Sequence, residues 1–135
     1  IVAFVRKHRA NGRKRVHEDE IQVLKVLPES VRLHLHWEVY QPVLLPHPLF
    51  YNINDADEGC MLDICHTAMG EVSLGSSQEL FTLGQEAAKM SFVVSGLLEY
   101  YHGTSDLETA EVEKGRWCSE AVLWVKWSHE GRLAA

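Results

Sequence analysis

Histidine and cysteine are the residue types here that most readily bind metals, and their spacing does not favour a metal site. The chain has 135 residues, with eight histidines and three cysteines. His34 and His36 lie two positions apart, which on a helix turns them about 200° away from each other. Cys60, Cys65 and His66 have suitable ligand types but lack the CxxC spacing of zinc ribbons. The sequence therefore predicts no metal centre.

Motifs of nucleophilic and nucleotide-dependent enzymes are also missing from the sequence. It has no GxSxG, no Walker loop and no GxGxxG, and no cysteine lies in an evident Cys-His arrangement. A metalloenzyme on a β-roll needs two or three histidines on adjacent strands, and only His102 and His129 lie in or near the strand half. We expect no enzyme activity and no required cofactor. Cysteines without a secretory context predict reduced, cytosolic thiols.

Charge is distributed unevenly along the chain. The net charge of −6 gives no reason to expect a nucleic-acid partner. Six basic and no acidic residues nevertheless fall in residues 1–17, which could contact acidic lipid headgroups or an acidic neighbour, or form a solvated helix end or linker. They are Arg6, Lys7, Arg9, Arg13, Lys14 and Arg15. No stretch reaches the roughly 18 apolar residues of a membrane span, and a start at Ile1 suggests a fragment of a longer polypeptide.

The first half of the chain predicts helices. Apolar periodicity indicates two helical pieces over residues 18–41, with Pro28 in the first turn of the second. Val31, Leu35 and Val39 form its apolar stripe, widened by Leu33, Trp37 and Tyr40, and Pro42 is expected to stop it. The proline-rich residues 41–55 predict a connector with at most one short turn around His47–Phe50.

A short helix is predicted over Asp57–Ala68, with Met61, Ile64 and Cys65 facing inward. From Met69 the apolar period changes to two. Strand positions are Val72, Leu74, Leu80, Met90, Phe92 and Val94, with a further strand at Glu111–Lys114. Glycine turns at Gly84 and Gly96 punctuate the strands. Helices followed by short strands predict an α+β fold with an antiparallel β-roll, or jelly-roll-like, barrel.

Two segments carry a family resemblance. ELFTLGQEAAKMSFVVSGLLEY at residues 79–100 resembles the roll of cyclic-nucleotide-binding domains. IQVLKVLPESVRLHL at residues 21–35, followed by Pro48-Leu49-Phe50, is similar to the helical linker of cyclic-nucleotide-gated and related potassium channels. The resemblance implies a helical linker at residues 1–56 and an incomplete roll at 57–135, truncated at its C-terminus.

The resemblance also implies a ligand site. The family pattern is roughly Gly-Glu-x-x-Leu, and about eight residues after the Glu comes an Arg followed by small residues. On this pattern Glu120 would bind the ribose, with Ser119 in place of the glycine and Ala121 and Leu123 beside it. Arg132, which eleven residues separate from Glu120, would hold the cyclic phosphate. The alternative is that Glu120–Trp127 forms a packing helix that fills the site.

The function implied is that of a cytosolic regulatory domain of a potassium-type cation channel. It would modulate gating with or without cAMP or cGMP as ligand. Its partners would be the other subunits of a homo- or heterotetrameric channel, and the parent chain would place it on the cytoplasmic side of a membrane. The alternatives are a soluble effector, such as a protein kinase regulatory subunit, and an interaction scaffold that binds no ligand.

Overall fold

The computed structural model describes residues 2–7, 22–104 and 109–135. The described residues form an α+β structure, as predicted. The helices are α1 (Gln22–Val26), α2 (Glu29–Leu44), α3 (Pro48–Ala56), α4 (Glu58–Asp63) and a π-helical segment (Ile64–Ala68). The strands are β1 (Val2–Lys7), β2 (Met69–Leu74), β3 (Glu79–Phe81), β4 (Glu86–Ala87), β5 (Met90–Ser95), β6 (Leu97–His102), β7 (Thr109–Glu113), β8 (Trp117–Cys118), β9 (Trp127–Ser128) and β10 (Gly131–Ala134).

Contacts divide the chain into two compact units. One, the helical unit, comprises residues 12–69, and the other, the strand unit, comprises residues 1–11 and 70–135. The predicted division into a channel-type linker at 1–56 and a cyclic-nucleotide-binding-type roll at 57–135 stays a prediction. Four of the six basic residues of the N-terminal segment 1–17 lie outside the described residues, namely Arg9, Arg13, Lys14 and Arg15. Among those described, no helix is long and apolar enough to cross a membrane.

The two prolines that flank the predicted second helix lie elsewhere in α2 than expected. Pro28 is its N-cap residue, with φ −53° and ψ 145°, rather than part of the first turn. Pro42 does not stop α2, which continues to Leu44 and is capped by the bond from Leu45 N to Gln41 O. A proline this close to the C-terminus removes one hydrogen bond but leaves the rest of the helix intact.

The predicted connector after α2 is wrong, because residues 48–56 form the helix α3. Pro48 occupies the start of α3, where its fixed φ favours helix and its missing N–H costs nothing. His47 caps this end, since its Nδ1 accepts a hydrogen bond from Leu49 N at 3.2 Å. Proline content alone therefore misled the prediction, because the position of each proline decides its effect.

The apolar stripe of α2 faces solvent rather than the core. Val31, Leu35 and Val39 are 43%, 40% and 41% exposed, whereas Tyr40 and Leu44 on another side of the helix are buried. An α2 that is apolar on two sides allows either face to pack, so periodicity could not select the buried one. Further along, Met61 and Cys65 are fully buried as predicted, while Ile64 is only partly buried.

A strand precedes the helices, so the expected order of helices first is wrong. In β1 the run Val2–Val5 is buried throughout. The strand pairs in parallel with β5, placing Phe4 opposite Phe92. A continuous, β-branched apolar run is typical of a strand covered on both faces, and that signal was present in the sequence.

Two four-stranded sheets make up most of the strand unit. One has the order β2-β1-β5-β8 and the other β3-β10-β6-β7, with β4 and β9 forming a small third sheet. One core cluster draws side chains from both large sheets, so the two sheets share a core. Its buried members are Val5, Leu74, Phe81, Val93, Leu98 and Leu133.

Strand β5 is buried on both faces. Met90 and Phe92 are buried as predicted, but Val93 is buried too, and Val94 is only partly buried. Strict alternation fails here because consecutive side chains, which point to opposite faces of the sheet, are both covered. The predicted strand at 111–114 corresponds to β7, and Gly84 and Gly96 have the expected positive φ of 78° and 89°.

Candidate functional site

A cavity of about 370 Å³ opens in the strand unit. Its walls come from β3, β6, β7, β8, β9 and β10, and from the turn between β8 and β9. Small-molecule sites in proteins commonly enclose about 300–1,000 Å³, so this cavity falls at the small end of that range.

The turn after β8 contributes three of the five residues predicted for a ligand site. Ser119, Glu120 and Ala121 line the cavity, whereas Leu123 is not among its lining residues. Residues Glu120–Leu123 form one turn of 3₁₀ helix and Trp127 already belongs to β9. The alternative prediction of a packing helix from Glu120 to Trp127 is therefore wrong in its extent.

One hydrogen bond and one unusual backbone conformation define this turn. Trp117 Nε1 donates a hydrogen bond to Glu120 Oε2 at 3.2 Å. Ser119 adopts the left-handed conformation, with φ 62° and ψ 31°. That conformation favours glycine, which is the residue that the family resemblance implies at this position.

Arg132 lies on the face of β10 away from the cavity. In the pairing with β6, Arg132 is opposite Tyr101 and Leu133 is opposite Tyr100. Leu133 and Tyr100 line the cavity, and side chains alternate along a strand, so Arg132 and Tyr101 face the other way. There the guanidinium lies 4.0 Å above the Tyr101 ring, and its Nη1 is 3.3 Å from Glu79 Oε1.

His129 is a polar residue of the cavity wall that the sequence prediction did not assign to the site. It is only 8% exposed, and its ring is stacked on Phe81 with 3.6 Å between ring centroids and 5° between planes. Its Nδ1 lies 3.4 Å from Ser119 Oγ, and burial lowers the pKa of the imidazole. The His129 backbone also bonds in both directions to residues 84 and 85 of the β3–β4 turn.

The spacing of His129 could have identified it. Eight residues, 121–128, separate it from Glu120, which agrees with the roughly eight residues that the family pattern places between the glutamate and the phosphate-binding arginine. Arg132 lies three positions beyond. The prediction chose Arg132 because the family pattern has an arginine, although His129 has the expected spacing. The strand register turns Arg132 out of the cavity.

Acidic groups dominate the charge around the cavity. Glu120 and Glu130 line it, and none of the described residues that line it is Lys or Arg. Burial, and then the charge on Glu130, raise the pKa of Tyr100, so this carboxylate acts on a group in the wall. Burial also raises the pKa of Cys118, another wall residue, to about 11. Its thiol is therefore protonated at neutral pH.

Gly131 allows the close packing of β10 against β6. A Cβ at this position would collide with the backbone oxygen of Tyr101 and would come within 2.7 Å of the Tyr100 ring. Only a residue without a side chain fits there. This contact fixes where Tyr100 and Leu133 enter the cavity wall.

The described part of the chain places no three His, Cys, Asp or Glu side chains where they could hold a metal ion together. His34 and His36 diverge as predicted, since His34 Nδ1 bonds to Ser30 O at 2.8 Å and His36 Nδ1 lies 3.0 Å from His66 Nδ1.

In comparisons with known proteins, no family model matches the chain, and no curated protein matches its sequence.

Proposed function

We propose that this chain is a regulatory domain of the cyclic-nucleotide-binding type from a potassium-type cation channel, and that it acts without binding a cyclic nucleotide. The strand unit would be its β-roll, and helices α1–α3 would be the linker that transmits force to a pore and contacts neighbouring subunits. The cytosolic face of a membrane would be its location.

The observation that carries the second part of the proposal is the position of His129. At the family spacing from Glu120, the cavity contains a buried imidazole in place of an arginine. Its pKa is lowered by burial, so the group is mostly uncharged at neutral pH. A cyclic phosphate would then approach two carboxylates with no bidentate cation to balance its charge.

Arg132 does not supply the missing charge. Its guanidinium already contacts Glu79 and the Tyr101 ring on the opposite face of β10. Reaching the cavity would require β10 to shift by one residue, which would turn Leu133 out of the core. The site that the family uses for phosphate is therefore the part of this cavity least suited to an anion.

Regulation without a cyclic nucleotide would depend on contacts of the domain itself. The exposed apolar residues of α2 are Val31, Leu35 and Val39, and in a channel they would face neighbouring subunits. A change in those contacts biases the gate if they differ between closed and open states.

Recording currents from the parent polypeptide in excised membrane patches tests this proposal. Perfusing the cytoplasmic face with cAMP or cGMP is expected to leave the voltage of half-activation unchanged. Deleting residues 70–135 is expected to shift it, since the strand unit would be the regulatory element. Opening of the channel by either nucleotide would contradict the mechanism without a bound cyclic nucleotide. Unaltered gating after the deletion would contradict the regulatory role itself.

A further inference from the structure

We propose that the cavity binds a small organic cation with an apolar body, of which an aromatic monoamine is the simplest example. The inference goes beyond the proposed function and shares with it only the claim that this cavity is unsuited to a cyclic phosphate. Three features of the wall carry it: the sign of its charges, its aromatic rings and the uncharged state of His129.

Charge in the wall favours a cation over an anion. Glu120 and Glu130 are the charged residues of the lining at neutral pH. Glu120 is partly buried, and Trp117 Nε1 holds one of its oxygens at 3.2 Å. A carboxylate fixed in this way presents a stationary negative charge in surroundings less polar than water, where its attraction for an ammonium group increases.

Aromatic rings in the wall suit both parts of such a ligand. Tyr100 and Trp127 line the cavity together with the apolar side chains of Val112 and Leu133. Indole and phenol rings attract cations through their faces, and the aliphatic residues can cover an apolar body. One face of Phe81 is already covered by the imidazole of His129, so Tyr100 and Trp127 are the rings we expect a ligand to contact.

The uncharged His129 makes this cavity chemically different from an anion-binding site. Its ring is packed against Phe81, and burial lowers its pKa, so at neutral pH it adds no positive charge. A neutral imidazole does not repel an ammonium group, whereas an arginine here would. The replacement therefore both removes the anchor for a phosphate and permits a cation.

A set of ligands that differ mainly in charge tests the inference on the intact chain. We would titrate phenethylamine, 2-phenylethanol and 3-phenylpropionate at neutral pH, following tryptophan fluorescence and the amide NMR spectrum. The amine is expected to bind at least about tenfold more tightly than the alcohol. The carboxylate is expected to bind most weakly. Equal affinities, the reverse order or the absence of saturable amine binding would each overturn the inference.

Glu120→Gln and Glu111→Gln form a matched pair of variants. Glu111 is an exposed carboxylate of β7 that lies between two lining residues, Ala110 and Val112, but is not itself in the lining. E120Q is expected to reduce amine affinity about tenfold and to leave the alcohol unaffected. The glutamine can still accept from Trp117, so the turn keeps its bond. E111Q is expected to change neither affinity, and an equal loss in both variants would contradict a local role of Glu120.

A parallel titration with cAMP distinguishes failure of this inference from failure of the proposed function. Saturable cAMP binding would contradict the mechanism without a bound cyclic nucleotide, whether or not the amine binds. If neither the amine nor cAMP binds, the cation site is overturned, while the mechanism without a bound cyclic nucleotide is not contradicted.

Discussion

The imidazole of His129 lies flat on the ring of Phe81, with 3.6 Å between the ring centroids and 5° between the ring planes. This stack joins the turn before β10 to the end of β3 and forms part of the cavity wall. It places a titratable group in a position where only its neutral form is well accommodated, because burial lowers its pKa.

Folding stability is therefore expected to fall as the pH decreases through the range in which histidine titrates. The unfolded chain takes up a proton at His129 near its ordinary pKa of about 6.5, while the folded chain resists until lower pH. Stability from this group is complete above that pKa and is lost below it. His129→Phe keeps a stacked ring and should reduce the loss between about pH 7.5 and pH 5.5.

Urea unfolding at the two pH values measures this effect. His102→Gln is the matched control, since His102 is an exposed histidine of β6. The His102 variant should retain the pH dependence of the unmodified chain. An unchanged pH dependence in the His129 variant would show that other groups cause it.

Gly131→Ala is expected to destabilise the strand unit by about 1–3 kcal/mol or more, the usual cost of overpacking. The added Cβ would collide with the Tyr101 carbonyl, which belongs to the backbone and cannot rotate away. Gly70→Ala is the control, because a Cβ at that position meets nothing within 4 Å. Thermal unfolding of the two variants compares them directly, and equal midpoints would argue against the register of β10 and β6.

Ser119→Gly is expected to stabilise the chain, by up to about 1 kcal/mol. A non-glycine residue in the left-handed conformation is strained by roughly 1–2 kcal/mol, and the extra freedom of glycine in the unfolded chain offsets part of the gain. Ser77→Gly is a useful comparison, since Ser77 has φ 63° in an exposed turn. Denaturant midpoints should rise for both variants, and a fall for Ser119→Gly alone would indicate that the Ser119–His129 contact outweighs the strain.

Cysteine reactivity should follow burial. Cys60 is exposed, whereas burial raises the pKa of Cys65 and Cys118 to about 11. Thiolate is the reactive form, so Ellman's reagent at neutral pH should modify one thiol quickly and two slowly, and Cys60→Ser should remove the fast phase. A fast phase that survives this substitution would show that Cys65 or Cys118 is accessible. Adding denaturant should merge the remaining phases.

Much of the fold could be predicted from periodicity. The change from helical to strand period near Met69, the inward side of α4 and the glycine turns at 84 and 96 all follow from local pattern and backbone preference. The misplaced features depend on tertiary structure. Which side of α2 is buried, and whether Val2–Val5 is a strand, are decided by partners distant in the sequence.

The candidate site was predicted in part for a similar reason. Ser119, Glu120 and Ala121 reach the cavity because a continuous local turn carries them there. Arg132 does not, because strand alternation and the pairing with Tyr101 decide its direction. The spacing from Glu120 would have predicted His129 as the site residue, whereas the requirement for an arginine led to the prediction of Arg132.

Calorimetric titration of the chain with cAMP and with cGMP at neutral pH tests the central claim most directly. We expect no saturable heat for either nucleotide up to about 1 mM, which corresponds to a binding free energy weaker than about −4 kcal/mol. Arg132→Gln should give the same result as the unmodified chain. Saturable micromolar binding of either nucleotide would contradict the claim that His129 leaves the cavity without an anchor for a cyclic phosphate.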